Sequence, residues 1–261
     1  MDNNEAYSKL ENNEKSTALW NGYHSETFDF DGYQAIVVFP KNPLPGNPWL
    51  FKTEYFGAFP DLEIKMLSQG YFLAHVDTET RWCKKSDTDR QIAFAKFIQK
   101  EYKLNEKCIP VGMSCGGMQA VYLTAKEPTI VAGVYLDAPV LNLLSCPCGI
   151  GKAKETLGGM YDEYVAATGV CISELINCRN HPIDCVDKLI SNKIPVFLVC
   201  GDSDEIVPYE ENGMQLYEKY KKNNAEIIQV IKKDCNHHPH GLQDDNPLVS
   251  FVKNCYKNNV R

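Results

Sequence analysis

A serine set between two glycines offers the clearest chemistry in this chain. Ser114 lies in the pentapeptide GMSCG at 112–116, directly after the apolar run IPV at 109–111 and before a helical pattern. A strand, a tight turn and a helix in this order hold the serine at a strained backbone angle, and the flanking glycines leave room for the turn. The hydroxyl would then stand at the tip of a sheet, beside the first N–H groups of the helix. The spacing therefore predicts a nucleophile.

A serine nucleophile needs a base and an acid that orients this base, and candidates for both follow it. Asp204 lies in the segment GDSDEIVP at 201–208, directly after a predicted strand. His237 lies in the segment CNHHPH at 235–240, directly after the next predicted strand. Both segments follow the carboxyl ends of strands, on the edge of the sheet where the serine turn is expected. The order serine, aspartate, histidine predicts a catalytic triad.

Three other residues are alternatives for these two roles. Asp137 ends the strand that follows the serine helix, and it is the alternative acid. His238 and His240 lie on the same segment as His237 and are alternatives to it as the base. The residues by themselves leave open the choice between Asp204 and Asp137 and the choice among the three histidines.

A tetrahedral intermediate also needs two hydrogen-bond donors for its oxyanion. The backbone N–H of Cys115, the residue after the serine, is expected to be the first. The second is expected from the loop EYFGAFP at 54–60, where Gly57 permits a close turn, although the particular N–H group stays open. The Cys115 thiol lacks the strained, exposed position of the serine, so we expect no nucleophilic role for it.

These residues need a frame of strands and helices to bring them together. Segments 27–30 and 33–39, split by Asp31-Gly32, predict a hairpin. Further strands are predicted at 49–53, 71–76, 109–111, 130–136, 194–200 and 226–231, and helices at 59–68, 87–102, after Ser114, 209–222 and 247–257. Continuous apolar strands are typical of a sheet that helices cover on both faces. The polar segment 1–22 is expected to be a loose arm or a surface helix.

The alternation of strands and helices breaks between residues 140 and 192. We therefore expect a single domain over 1–261 with a cap or lid inserted at 140–192, over the carboxyl edge of the strands where ligands bind in such sheets. Glu54, Arg81 and Trp82 lie on loops at the same edge and are candidates for substrate contact. The insert also holds cysteines whose spacing fits no standard zinc pattern: Cys146, Cys148, Cys171, Cys178 and Cys185.

Bulk properties exclude several classes of partner. The net charge of −7 disfavours nucleic acid and anionic membranes. The N-terminus lacks the basic and apolar regions of a signal peptide, and no apolar stretch has the length of a membrane span. The odd number of cysteines, 11, is typical of reduced thiols. These features together predict a cytoplasmic protein.

With these motifs in place, the chain resembles the α/β-hydrolase superfamily across nearly its whole length. The pattern Gly-x-x-Asp-x-x-Val-Pro at 201–208 matches the acid loop of that superfamily. The resemblance implies an α/β-hydrolase fold, which is a mostly parallel, doubly wound sheet with a small cap insert. It also implies that Asp204 orients the histidine, and that the histidine directly after the last strand, His237, is the base.

Three further motifs resemble a subgroup of bacterial serine esterases: FGAFP at 56–60, DAPV at 137–140 and HHPH at 237–240. Such proteins include esterases of decorated plant polysaccharides and peptidase-like hydrolases. The resemblance implies hydrolysis of a small-molecule or saccharide carboxylic ester through an acyl-enzyme, with no metal or organic cofactor. The alternatives are an aminopeptidase-like hydrolase related to prolyl oligopeptidase, an acyltransferase, and a binding protein on the same fold. The oligomeric state is left open.

Overall fold

The computed structural model describes residues 14–154 and 159–257. The strands are β1 (Ser16–Trp20), β2 (Tyr23–Phe30), β3 (Tyr33–Val38), β4 (Trp49–Lys52), β5 (Phe72–Val76), β6 (Cys108–Met113), β7 (Val134–Asp137), β8 (Val196–Gly201) and β9 (Ile227–Lys232). The α-helices in these ranges are α1 (Asp61–Ser68), α2 (Lys85–Glu101), α3 (Cys115–Lys126), α4 (Met160–Thr168), α5 (Ile172–Asn177), α6 (Pro182–Ser191), α7 (Gly213–Lys222) and α8 (Asn246–Lys257).

One edge of the sheet is antiparallel and is built from local hairpins. β2 and β3 pair around the predicted turn, where Asp31 has φ 57° and Gly32 has φ 81°, the left-handed angles that a tight two-residue turn requires. β1 pairs with β2 and extends the sheet outward. The expectation of a loose arm or surface helix over 1–22 is therefore wrong for the part that forms β1, and residues 1–13 lie outside the described residues.

The rest of the sheet is parallel and holds the functional edge. The full strand order is β1-β2-β3-β5-β4-β6-β7-β8-β9, with parallel pairing from β5 to β9. Every residue of β4 to β8 is buried, as the continuous apolar runs predicted. The carboxyl ends of β6, β7, β8 and β9 therefore meet at one edge.

Helices cover both faces of this sheet. One apolar cluster joins one face to α2, α3, α6 and α7, and a second joins the other face to α1 and α8. This arrangement confirms the predicted α/β-hydrolase architecture, a doubly wound and mostly parallel sheet. No helix in the described part of the chain is both long enough and apolar enough to cross a bilayer.

The predicted insert at 140–192 contributes to two different layers. Its last helix, α6, belongs to the main helical layer, where Val186 and Leu189 are fully buried. Its first two helices instead supply Tyr164 and Leu175 to a third apolar cluster that includes Cys115. None of the eleven cysteines, all of which lie in the described ranges, forms a disulfide in the structure. The extent of the domain and of its cap stays a prediction.

Candidate active site

Ser114 lies at the junction of β6 and α3, in the strand–turn–helix that its sequence predicted. Its φ of 52° and ψ of −120° lie in a region that residues other than glycine rarely adopt. A Cβ atom at Gly112 would lie 2.4 Å from the carbonyl oxygen of Gly116, and one at Gly117 would lie 2.4 Å from Cβ of Pro139. The turn therefore excludes side chains at these two glycine positions.

The structure brings Ser114, His237 and Asp204 together in one hydrogen-bonded chain. Nε2 of His237 lies 3.0 Å from Oγ of Ser114, and Nδ1 of His237 lies 2.8 Å from Oδ2 of Asp204. The other carboxylate oxygen of Asp204 accepts the backbone N–H groups of Ile206 at 2.9 Å and Val207 at 2.8 Å. Because the acid is held from both sides, the imidazole has one orientation, with Nε2 facing the serine.

Asn236 joins the loop of the acid to the loop of the histidine. Its Oδ1 accepts the backbone N–H of Glu205 at 3.0 Å and that of His237 at 2.7 Å. A second link runs from the backbone N–H of Ser203 to the carbonyl of Cys235, at 3.0 Å. We did not predict this role from the sequence, since an asparagine in a turn is common and its partners lie on another loop.

A second aspartate–histidine pair lies beside the first. Asp137, at the end of β7, accepts from Nδ1 of His240 at 2.9 Å, the backbone N–H of Gly241 at 2.7 Å and the Tyr135 hydroxyl at 2.9 Å. Burial opposes the charge of Asp137, but the hydrogen bond and charge of His240, aided by Lys232 and the Gly241 N–H, hold its pKa below the ordinary value. The alternative acid thus pairs with an alternative base, whereas Asp204 pairs with His237.

His238 lies between these two pairs and is exposed. Its ring stacks on Phe59, with centroids 5.6 Å apart and planes 15° apart. Burial of part of the ring and the neighbouring His237 and His240 lower the pKa of His238. Within residues 14–154 and 159–257, neither His238 nor His240 is hydrogen-bonded to Ser114, which places His237 alone at the serine hydroxyl.

A cavity of about 280 Å³ opens in front of the serine. It is mostly apolar, with one guanidinium, one phenol and imidazoles on its wall, and is lined by Tyr55, Ala58, Phe59, Arg81, Met113, Ser114, Met160, Ile206, His237, His238 and His240. A larger cavity of about 460 Å³, lined in part by Tyr122 and Asn180, contains none of the triad residues. We assign the site to the smaller cavity because the reactive groups face it.

The expected oxyanion donors take different positions from each other. Cys115 is the first residue of α3, where a backbone N–H has no helical carbonyl to bond. Gly57 is exposed and does not line the cavity. Tyr55 of the same loop does line it, with a φ of 55°, and burial together with the nearby Cys115 raises the pKa of its phenol. We did not predict the Tyr55 side chain at the cavity, since only backbone N–H groups of that loop were considered.

The thiol beside the serine is chemically quiet. Burial raises the pKa of Cys115 to about 11, so the side chain stays protonated at neutral pH. A thiol reacts as its thiolate, and a buried neutral thiol is a poor nucleophile. This environment agrees with the expectation that serine is the nucleophile type at this turn.

The three candidates for substrate contact have different surroundings. Arg81 lines the cavity and makes a two-pronged ion pair with Glu163 of α4, in which Nε lies 2.8 Å from Oε1. Trp82 is buried in the third apolar cluster, and Glu54 accepts hydrogen bonds from Thr78 and Gln119. Of the three, Arg81 alone lines the cavity.

One protein-family model matches most of the chain. The model of the prolyl oligopeptidase family matches residues 73–259, which contain Ser114, Asp204 and His237. The chain belongs to the prolyl oligopeptidase family. No curated protein matches the chain.

Solved structures share the fold at low sequence identity. Dipeptidyl peptidase 4 of Porphyromonas gingivalis has a TM-score of 0.62 and 19% identity, over 94% of this chain and 35% of that one. Acylaminoacyl peptidase of Pyrococcus horikoshii has a TM-score of 0.63 and 15% identity, over 91% of this chain and 40% of that one. A puromycin-hydrolyzing peptidase of Mycobacterium tuberculosis has a TM-score of 0.65 and 14% identity, over 92% of this chain and 38% of that one. The chain thus spans well under half the length of these three structures.

Proposed function

We propose that this protein is a serine hydrolase that cleaves amide bonds of small peptides or aminoacyl compounds. The observation that carries the proposal is the chain of hydrogen bonds from Ser114 through His237 to Asp204, at the mouth of a cavity. Membership of the prolyl oligopeptidase family and the peptidases of similar fold support amide substrates. They favour the aminopeptidase-like alternative over the esterase of decorated carbohydrates that the sequence motifs suggested.

The first half of the reaction forms an acyl-enzyme. Oγ of Ser114 attacks the carbonyl carbon while Nε2 of His237 takes the hydroxyl proton, and the carbonyl electrons move to oxygen. Asp204 stabilises the imidazolium that forms. The tetrahedral intermediate then collapses, the C–N bond breaks, and His237 protonates the leaving amine.

The second half releases the acid. Water enters the place of the amine, His237 removes its proton, and the hydroxide attacks the acyl carbon. The bond to Oγ of Ser114 breaks, and His237 returns the proton to the serine. In both halves the oxyanion accepts the backbone N–H of Cys115 and the hydroxyl of Tyr55, which its raised pKa keeps protonated.

The cavity suggests the size and polarity of the substrate. A volume of about 280 Å³ lies near the lower limit for pockets that take small ligands. Phe59, Met160 and Ile206 supply apolar walls for one side chain of the substrate. Because Glu163 neutralises Arg81, we expect an uncharged or apolar side chain beside the cleaved bond.

The test compares amides with esters on the same protein. Alanyl, leucyl and phenylalanyl p-nitroanilides, each with a free and an acetylated amine, are assayed beside p-nitrophenyl acetate, p-nitrophenyl butyrate and acetylated xylan. Anilide cleavage that disappears in Ser114→Ala supports the proposal. A preference for the free amine indicates an aminopeptidase, and a preference for the acetylated amine indicates an acylaminoacyl peptidase. Cleavage of esters or xylan alone supports the esterase. If the folded protein cleaves no compound of the panel, the result contradicts a hydrolase of small substrates.

A further inference from the structure

Three imidazoles converge on the serine cavity, although the proposed reaction needs one. One ring nitrogen from each of His237, His238 and His240 lies within 4.8 Å of the other two. The rings pack edge to face, with centroids 4.9 to 5.0 Å apart. In the described ranges, no other set of three or more histidine, cysteine or acidic side chains comes close enough to hold a metal ion.

Two of the three rings are oriented as metal-bound histidines usually are. Nδ1 of His237 bonds to Asp204 at 2.8 Å, and Nδ1 of His240 bonds to Asp137 at 2.9 Å. A carboxylate on Nδ1 keeps the ring proton there, so the lone pair of a neutral ring lies on Nε2, and such carboxylates commonly support histidine ligands of metals. Two of the three rings therefore have Nε2 available as a metal ligand.

Charge near the cluster also favours a cation. Two buried carboxylates, Asp137 and Asp204, lie directly behind the rings. Lys232 offsets part of this charge, with its Nζ 3.8 Å from Asp137, and Arg81 on the cavity wall is paired with Glu163. The third imidazole, His238, is exposed and has no hydrogen bond from its ring within the described part of the chain, so a turn toward an ion breaks its stacking on Phe59 but no hydrogen bond.

We propose that His237, His238 and His240 form a reversible inhibitory site for a divalent transition-metal ion such as Zn²⁺. Zinc bonds to histidine nitrogen at about 2.0–2.1 Å in tetrahedral sites, so the three nitrogens must come closer together than they are now. The exposed His238 makes most of this movement. Once Nε2 of His237 donates its lone pair to the metal, it no longer accepts the proton of Ser114. The inhibition, unlike the metal site itself, rests on the proposed function.

The first experiment measures binding without turnover. We treat the wild type, Ser114→Ala and His238→Ala with a chelator and titrate each with Zn²⁺ by calorimetry. Absorption spectra of bound Co²⁺ then distinguish imidazole ligands from thiolate ligands. We expect the Ser114→Ala variant to bind as the wild type does, and His238→Ala to bind the ion at this site at least tenfold more weakly. Equal binding by His238→Ala and wild type, or a purely thiolate Co²⁺ spectrum, overturns the proposal.

The second experiment measures inhibition on the best substrate of the panel. Each rate in buffered Zn²⁺ is divided by the rate of the same variant without metal, and reversal by EDTA is checked. We expect the inhibitory concentration to rise at least tenfold in His238→Ala. The controls Cys235→Ala, which removes the thiol of the same loop, and His24→Ala, which removes an exposed histidine on β2, should be inhibited like the wild type.

Two failures can be told apart with these data. If no substrate is turned over, the proposed function fails, and the calorimetric comparison still decides whether the metal site exists. If Zn²⁺ inhibits the wild type and His238→Ala equally, or if Cys235→Ala alone escapes inhibition, the three-histidine site is wrong while the hydrolase stands.

Discussion

At the scale of single residues, Ser114 and Cys115 are neighbours with opposite environments. The serine is held at φ 52° with its hydroxyl 3.0 Å from His237, whereas the thiol is buried with its pKa raised to about 11. We predict that Ser114→Ala lowers kcat/KM by about 10³-fold or more, and that the residual rate does not rise between about pH 7 and pH 9.

The control for this variant is Ser191→Ala, which changes an exposed serine at the end of α6. Steady-state kinetics of both variants and of the wild type give the comparison. Residual activity of Ser114→Ala that grows with pH in step with a thiolate would show instead that Cys115 attacks the substrate.

Asn236 is a positioning residue at the same scale. Its side-chain oxygen holds the N–H groups of Glu205 and His237 in place. Without this acceptor the two loops lose their common anchor, and misplacement of a catalytic group lowers the rate more than it lowers binding. We predict that Asn236→Ala lowers kcat about tenfold with KM little changed, and that Asn236→Asp, which keeps the acceptor, loses less. A raised KM at unchanged kcat would contradict this role.

At the scale of elements, a buried ion pair ties β4 to α1. Nζ of Lys52 lies 2.6 Å from Oε1 of Glu63 and 3.3 Å from the carbonyl of Ala58, with both charged side chains almost completely buried. The pair therefore anchors the loop at 54–60, which carries Tyr55. Removal of one partner from such a pair leaves an uncompensated charge in a region without water.

We predict that Glu63→Ala lowers the free energy of unfolding by about 3–5 kcal/mol, as broken buried pairs do. Replacement of both partners, Lys52→Met with Glu63→Leu, should recover most of this loss because no charge stays buried. Urea denaturation measures both. The matched control is Glu127→Ala, which breaks the exposed pair with Lys96 and should cost less than about 1 kcal/mol. A double variant no more stable than Glu63→Ala would contradict the argument.

At the scale of the whole molecule, Asp137 links the middle of the sheet to the loop after its last parallel strand. The contacts of His240, Gly241 and Lys232 hold the pKa of Asp137 below its ordinary value of 3.8 despite burial. The folded protein thus holds this carboxylate charged more strongly than the unfolded chain does. The resulting stability is complete above the unfolded pKa, and it is lost as pH falls through the lower folded pKa.

We predict that the urea midpoint of the wild type falls as pH is lowered from about 5 to about 3, and that Asp137→Asn falls less steeply over this range. Other carboxylates contribute equally to both proteins, so the difference in slope belongs to Asp137. If the urea midpoints of the two proteins fall equally steeply with pH, the pKa of Asp137 is the same in the folded and the unfolded chain.

Local sequence patterns predicted most of the strands and helices. The Asp31-Gly32 turn, the buried strands and the amphipathic helices were predicted because each depends on neighbours a few residues away. β1 was missed because four of its five residues are exposed, so it has no apolar period to detect. The strand order, with β4 between β5 and β6, depends on pairings between distant segments and has no local signal.

The sequence by itself determined the chemistry at hand: a serine on a strained turn, with acids and histidines after later strands, because residue type and order are written along the chain. Only the tertiary structure decided the pairing. His237 meets Asp204 across 33 residues and His240 meets Asp137 across 103, and Asn236 links two loops. Neighbouring histidines on one loop look equivalent in sequence, and the physical distinction between them is which strand end each one faces once the parallel sheet has formed.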